Sequence, residues 1–183
     1  MKLARSHLEI AIEKGYNLSC FSLARLLHEH FKENESAFDV ATEGARRGDK
    51  LSQCIVGHFT SNGIGTKKNR RKGVKLILES SAENYFTLFA TDIGLYFLDL
   101  ANDEEQRDER DSNCEKAFEW FEKAYLLKKT SATINNYALC FLKGIFVQKN
   151  IEKVKEIFVD GAERGDANSM YHLAYILEES DFN

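Results

Sequence analysis

Apolar and small residues recur along the chain at helical spacing, and the recurrence itself repeats. From Ala37, small residues follow at Ala41 and Ala45 and a glycine at Gly48, offsets of +4, +8 and +11. The same offsets give Leu8, Ile12 and Gly15 from Ala4; Ile77, Ser81 and Asn84 from Gly73; Phe121, Tyr125 and Lys128 from Ala117; and Phe158, Ala162 and Gly165 from Val154. Residues at i, i+4 and i+8 share one helix face, so each run predicts an amphipathic helix, here called type B. Between the B helices lies a second pattern, a large apolar residue followed by a small one: Leu23-Ala24, Val56-Gly57, Ile93-Gly94, Tyr137-Ala138 and Leu173-Ala174. A small residue inside an apolar stripe lets two helix backbones approach, and these segments predict helices of type A.

The B patterns begin at residues 4, 37, 73, 117 and 154, so successive copies are 33, 36, 44 and 37 residues apart. Such a period belongs to stacked helix–turn–helix units, each of which buries its apolar face only against its neighbours. The pattern places B helices near 4–15, 37–48, 70–84, 114–128 and 151–165, A helices near 17–30, 50–61, 86–100, 131–143 and 167–179, and a charged insertion at 101–112, all in one array over residues 1–183. Asn69, Asn113 and Asn150 each stand four residues before a B pattern, where a side-chain oxygen can cap the first turn; Asn34 or Ser36 is the expected cap of the second B helix. Composition sharpens the class. With no proline and eleven glycines in 183 residues, long segments run without a helix breaker, and 43% hydrophobic residues exclude disorder. The expected fold class is all-α.

The segment Ala45–Gly73, with its loop Asn62-Gly63-Ile64-Gly65-Thr66-Lys67-Lys68-Asn69, resembles the Sel-1-like repeat, a relative of the tetratricopeptide repeats. So do Leu142–Gly165, with Lys143-Gly144-Ile145-Phe146-Val147-Gln148-Lys149-Asn150, and the junction from Ala162 to Ala174. The chain departs from that pattern in its first A-to-B loop, at Phe146 where glycine is usual, and in the insertion. The resemblance implies a right-handed α/α superhelical solenoid whose A helices line the concave surface. It also implies a role as adaptor or scaffold, a module for protein–protein interaction.

Charge and chemistry narrow the function further. The formal charge is −4, from 25 Lys+Arg and 29 Asp+Glu, which argues against a protein that holds nucleic acid by charge alone. No apolar run is long enough for a membrane span, and Glu9 and Glu13 interrupt the place of a secretory apolar region, so a cytoplasmic protein is expected. Cys20, Cys54, Cys114 and Cys140 form no CxxC pair and read as reduced, buried thiols. His28 and His30 are two residues apart, diverge by about 200° on a helix and cannot share a metal. No nucleophile turn and no paired carboxylates in an apolar setting stand out; no enzyme activity, metal or cofactor is expected. Two charge runs remain. Lys67, Lys68, Arg70, Arg71, Lys72 and Lys75 are six cations in nine positions, suited to a solvated loop or an acidic partner; Asp99–Asp111 carries seven acids against two arginines.

In a helical-hairpin repeat, the residue after the small A position and the residue three before it share a face. That face gives one row of Arg25, His58, Leu95, Leu139 and Tyr175, and another of Phe21, Cys54, Thr91, Asn135 and Tyr171; His28 lies beside the first. Aromatic and arginine side chains on such a surface are the usual anchors of a protein partner. The functions that follow are an adaptor or scaffold, or an inhibitor such as a bacterial immunity protein that blocks a toxin. The alternative of another class is an enzyme or small-ligand binder around His28, His30 and the basic run. The last A helix has no B helix after it, so Met170, Leu173, Ile176 and Leu177 have to share one covering helix. Tyr171 or Tyr175 then stays accessible, and self-association through this helix is possible.

Overall fold

In the computed structural model, residues 1–80 and 88–181 are described, with backbone alone for 104–106 and 179–181. The positions expected at Ser81 and Asn84, and the start of the third A helix, lie outside these residues. Every regular element among the described residues is helical. The B-type helices are α1 (Lys2–Glu13), α3 (Asn34–Arg46), α5 (Arg70–Glu79), α7 (Arg110–Leu127) and α9 (Ile151–Glu163). The A-type helices alternate with them: α2 (Leu18–Leu26), α4 (Lys50–Asn62), α6 (Ala90–Ala101), α8 (Ser131–Lys143) and α10 (Ala167–Asp181). A wider π-type turn, Leu27–Phe31, extends α2, and a 3₁₀ segment, Glu104–Glu109, precedes α7. The chain divides into two compact units, Met1–Asp92 and Ile93–Asn183.

The turns are built from the punctuation seen in the pattern. Gly48 and Gly165 adopt φ of 86° and 83°, left-handed values that end α3 and α9. The aspartate that follows each then caps the next helix: Asp49 accepts from the Ser52 N–H at 2.8 Å and Asp166 from the Ser169 N–H at 2.9 Å. Asn69 and Asn150 cap α5 and α9 as expected, each accepting an N–H at 2.9 Å, from Lys72 and Lys153 respectively. The other two expected caps are corrected. Asn113 lies inside α7, because the insertion has no glycine or proline to stop the helix from starting at Arg110; Asn113 is 1% exposed and its amide nitrogen has no partner among the described residues. Neither Asn34 nor Ser36 caps α3, which begins after Glu33 without a side-chain cap, and the Asn34 oxygen instead meets the His28 ring at 2.8 Å.

In the first unit the core is Leu23, Ala24, Leu27, Ala37, Ala41, Ile55 and Phe59, joining α2, α3 and α4. The small residues act as the pattern requires. A methyl group on Gly57 of α4 would lie 2.6 Å from the Gly73 carbonyl oxygen of α5, so the two backbones are in direct contact there. In the second unit, Ala117, Phe121, Cys140 and Ile145 form one cluster, and Tyr125, Ile134, Tyr137, Ala138, Val154, Ile157 and Phe158 another. Tyr125 and Tyr137 stack with centroids 4.8 Å apart, and each hydroxyl donates to a carboxylate, Asp160 and Glu122 respectively. Burial and the Glu122 carboxylate push the Tyr137 hydroxyl up to about 12.

Candidate partner-binding surface

The A-helix rows hold different environments in the two units. On α2, Arg25 donates to Glu29 one turn on, at 3.0 and 2.9 Å, and its guanidinium lies 5.7 Å from the Phe21 ring centroid. This pair of contacts holds an exposed cation over a half-buried ring, which restricts both side chains before any partner arrives. On α4, His58 points at Asp92 with its Nδ1 2.5 Å from the carboxylate, and Asn62 donates to the other oxygen at 2.8 Å. Asp92 is 6% exposed, so the His58 proton and the Asn62 amide stand in for the water it loses. With Nδ1 engaged, Nε2 is the edge of the half-exposed ring left to meet another group. Phe59 and Phe89 flank the imidazole at 5.9 and 5.8 Å. His28 meets Phe59 edge-on at 5.5 Å.

Cys54, expected in the second row, is corrected: it is fully buried, its thiol 3.1 Å from the Ser80 hydroxyl at the end of α5. Cys54 stands three residues before Gly57, on the face of α4 that packs against α5, so this position lies inside the contact. In the second unit Leu95 and Leu139 are half-buried and pack on the cluster around Phe121. Thr91 and Asn135 are half-buried, and the Asn135 side-chain oxygen is buried without a partner among the described residues. Tyr171 and Tyr175 on α10 are 68% and 53% exposed. Leu173 and Ile176 do reach the α9 cluster, whereas Met170 and Leu177 stay exposed; the covering helix takes half of the expected stripe.

Two residues, one in each unit, were not among the expected site residues. Asp92 was legible only as a lone acid in the apolar run Phe89-Ala-Thr-Asp-Ile-Gly-Leu. Phe146 stands out in the sequence only as a departure from the repeat. It adopts φ of 63°, matching Gly65 at 65° in the equivalent loop, and its half-exposed ring sits 5.9 Å from Phe118. A side chain in this left-handed conformation costs about 1 kcal/mol, and the aromatic contact returns a similar amount, so the loop keeps its shape without the glycine.

Among the described residues no three His, Cys, Asp or Glu side chains stand together as a metal site. The four cysteines are free thiols. Burial pushes the Cys140 thiol up to about 12 and raises those of Cys20 and Cys54, which leaves them protonated and unreactive at neutral pH. No helix among the described residues is long and apolar enough to cross a membrane.

The alternating A and B helices, glycine turns at a fixed offset and small-residue crossings define an all-α helical-repeat protein. The Sel1 repeat model matches residues 50–85, 104–128, 131–153 and 167–182, more than half of the chain, and the protein belongs to the Sel1 repeat family. Similar solved structures carry the same fold. One is a Sel1 repeat protein from Oxalobacter formigenes, with 20% identity and a TM-score of 0.61 over 92% of this chain and 67% of that one. Another is c5321, a protective antigen of uropathogenic Escherichia coli strains displaying an SLR fold, with 24% identity and a TM-score of 0.69 over 96% of this chain. This chain spans 36% of the length of c5321. No match was found among curated proteins.

Proposed function

We propose that the protein is an adaptor or scaffold that holds a segment of a protein partner on the exposed side chains of its A-type helices, in the cytoplasm. The observation that carries this reading is preorganisation: Arg25 is held by Glu29 and Phe21, and His58 by Asp92, with their outer edges left to solvent. Side chains already ordered lose less entropy on binding, and arginine and aromatic groups are the usual centres of binding energy. Membership of a repeat family supports it, since stacked hairpins present extended surfaces that suit protein ligands. The buried free thiols suit a reducing compartment.

The test is affinity capture with immobilised protein, read by quantitative mass spectrometry, for the native chain and for Phe21→Ala/Arg25→Ala and Tyr171→Ala. Proteins retained by the native chain should be lost from at least the first variant, with its melting temperature within about 2 °C, because surface changes cost little. Retention of the same proteins by both variants would place binding elsewhere. An inhibitor of a toxin differs from a scaffold in capturing one protein and suppressing its activity in the same mixture.

For α10 the exposure of Met170 and Tyr171 favours self-association as an additional contact. Sedimentation equilibrium should then show a concentration-dependent mass that Tyr171→Glu abolishes; a monomer at every concentration removes this reading.

A further inference from the structure

Helices α5 and α9 do the same structural job with opposite charge management. Each follows an A helix through a loop with left-handed glycines or their stand-in, and each is capped by an asparagine at 2.9 Å. In α9 the first turn carries Glu152, and the cations are neutralised within the helix: Lys153 meets Glu156 at 2.8 Å and Lys155 meets Glu152 at 3.1 Å. In α5 the corresponding positions are Arg71 for Glu152, Lys72 for Lys153 and Lys75 for Glu156, and the first turn has no acid. Lys67, Lys68, Arg71 and Lys72 are exposed and make no ion pair among the described residues, while Lys75 meets Glu79 at 3.7 Å.

Folding does not ask for this arrangement. Cations at a helix N-terminus oppose the macrodipole, and like charges one turn apart repel. The cap already satisfies the Lys72 N–H, and the loop is anchored by its backbone, with the Ile64 N–H on the Phe59 carbonyl and the Asn69 N–H on the Thr60 carbonyl. The lysines and Arg71 therefore contribute nothing to the loop that α9 and its loop do not achieve with mixed charges.

We propose that Lys67, Lys68, Arg71 and Lys72 form a docking surface for an acidic segment of a protein partner, a contact separate from the A-helix rows and independent of them. Charge complementarity selects the occupant: four cations along one loop and one helical turn, with no ion pair among the described residues, match a short run of carboxylates. Residues 62–75 contain no aromatic side chain on which a nucleic-acid base could stack. The exposed residues of α5, Arg71, Lys72, Lys75 and Glu79, are all charged, with Leu76 and Leu78 half-buried, so no exposed apolar side chain is there to enter a lipid surface.

The experiment uses the full chain and fluorescence anisotropy with three labelled probes: a ten-residue Asp/Glu peptide, a ten-residue Lys peptide and a ten-nucleotide single-stranded DNA. The acidic peptide should bind, more weakly as salt rises. Arg71→Glu/Lys72→Glu should weaken it at least tenfold while raising the melting temperature, since acids replace cations at the helix start. Lys143→Glu/Lys149→Glu, the same change in net charge elsewhere, should leave binding within twofold, as should Phe21→Ala/Arg25→Ala. The proposal is overturned by no binding of the acidic peptide to the native chain, by equal loss in the two charge-reversed variants, or by DNA binding as tightly as the peptide. Loss in the Phe21/Arg25 variant alone would overturn it in favour of the A-helix rows.

Discussion

Gly73→Ala is expected to lower the melting temperature of the first unit by about 5 °C or more, although alanine is the better helix former by about 1 kcal/mol. A Cβ at this position of α5 would overlap the Gly57 carbonyl oxygen and stand 2.5 Å from the Ser61 amide nitrogen, both backbone atoms of α4. Backbone cannot rotate out of the way as a side chain can, so the helices have to separate along their whole contact. Overpacking of this kind costs about 1–3 kcal/mol or more, and moving α5 also breaks the Ile77 contact with α4. With a net loss near 2 kcal/mol and a few degrees per kcal/mol for a chain of this size, the shift follows. Gly57→Ala should behave alike, since its Cβ would lie 2.6 Å from the Gly73 oxygen and 2.7 Å from Ile77. Differential scanning calorimetry of both variants checks this, and an unchanged or raised melting temperature would show that the close crossing does not constrain the fold.

Those two glycines are legible in the amino-acid sequence because each stands at the small-residue position of its repeat pattern. Helical periodicity and turn residues are local, and they placed Ala37, Ala41, Phe121, Val154 and Phe158 on buried faces, where each is found. What stayed hidden was set by distant partners and by where each helix begins. Cys54 occupies the same row position as Phe21, yet the end of α5 packs over it and its thiol meets the Ser80 hydroxyl. Asp92 finds His58 from 34 residues away, a pairing that no spacing within one helix announces. Asn113 has the cap residue at the cap offset, but a cap acts only where the helix begins, and the preceding charged residues carry α7 back to Arg110. The candidate surface was thus legible as rows of residue types, while which members stay wet depended on what packs over each of them.

The second large effect is expected at Phe121, the fully buried ring around which α6, α7 and α8 of the second unit assemble with Ala117, Cys140 and Ile145. Phe121→Ala should cost about 3–5 kcal/mol, the usual penalty for emptying a buried aromatic site that neighbours cannot collapse to fill. A more specific expectation follows from Gly94, whose added Cβ would stand 2.7 Å from two carbons of this ring. In the native background Gly94→Ala should destabilise, because the overlap of about 1 Å outweighs the alanine propensity gain of about 1 kcal/mol. In a Phe121→Leu background the ring edge is gone, the methyl has room, and the same substitution should be neutral or stabilising. The two changes are therefore expected to couple by at least about 1 kcal/mol, as residues in direct contact do. Urea denaturation of the four proteins of this cycle measures the coupling. Additive effects within about 0.3 kcal/mol would mean that α6 shifts to admit the methyl whatever stands at position 121, and that the small residue of this A helix does not set its distance from α7.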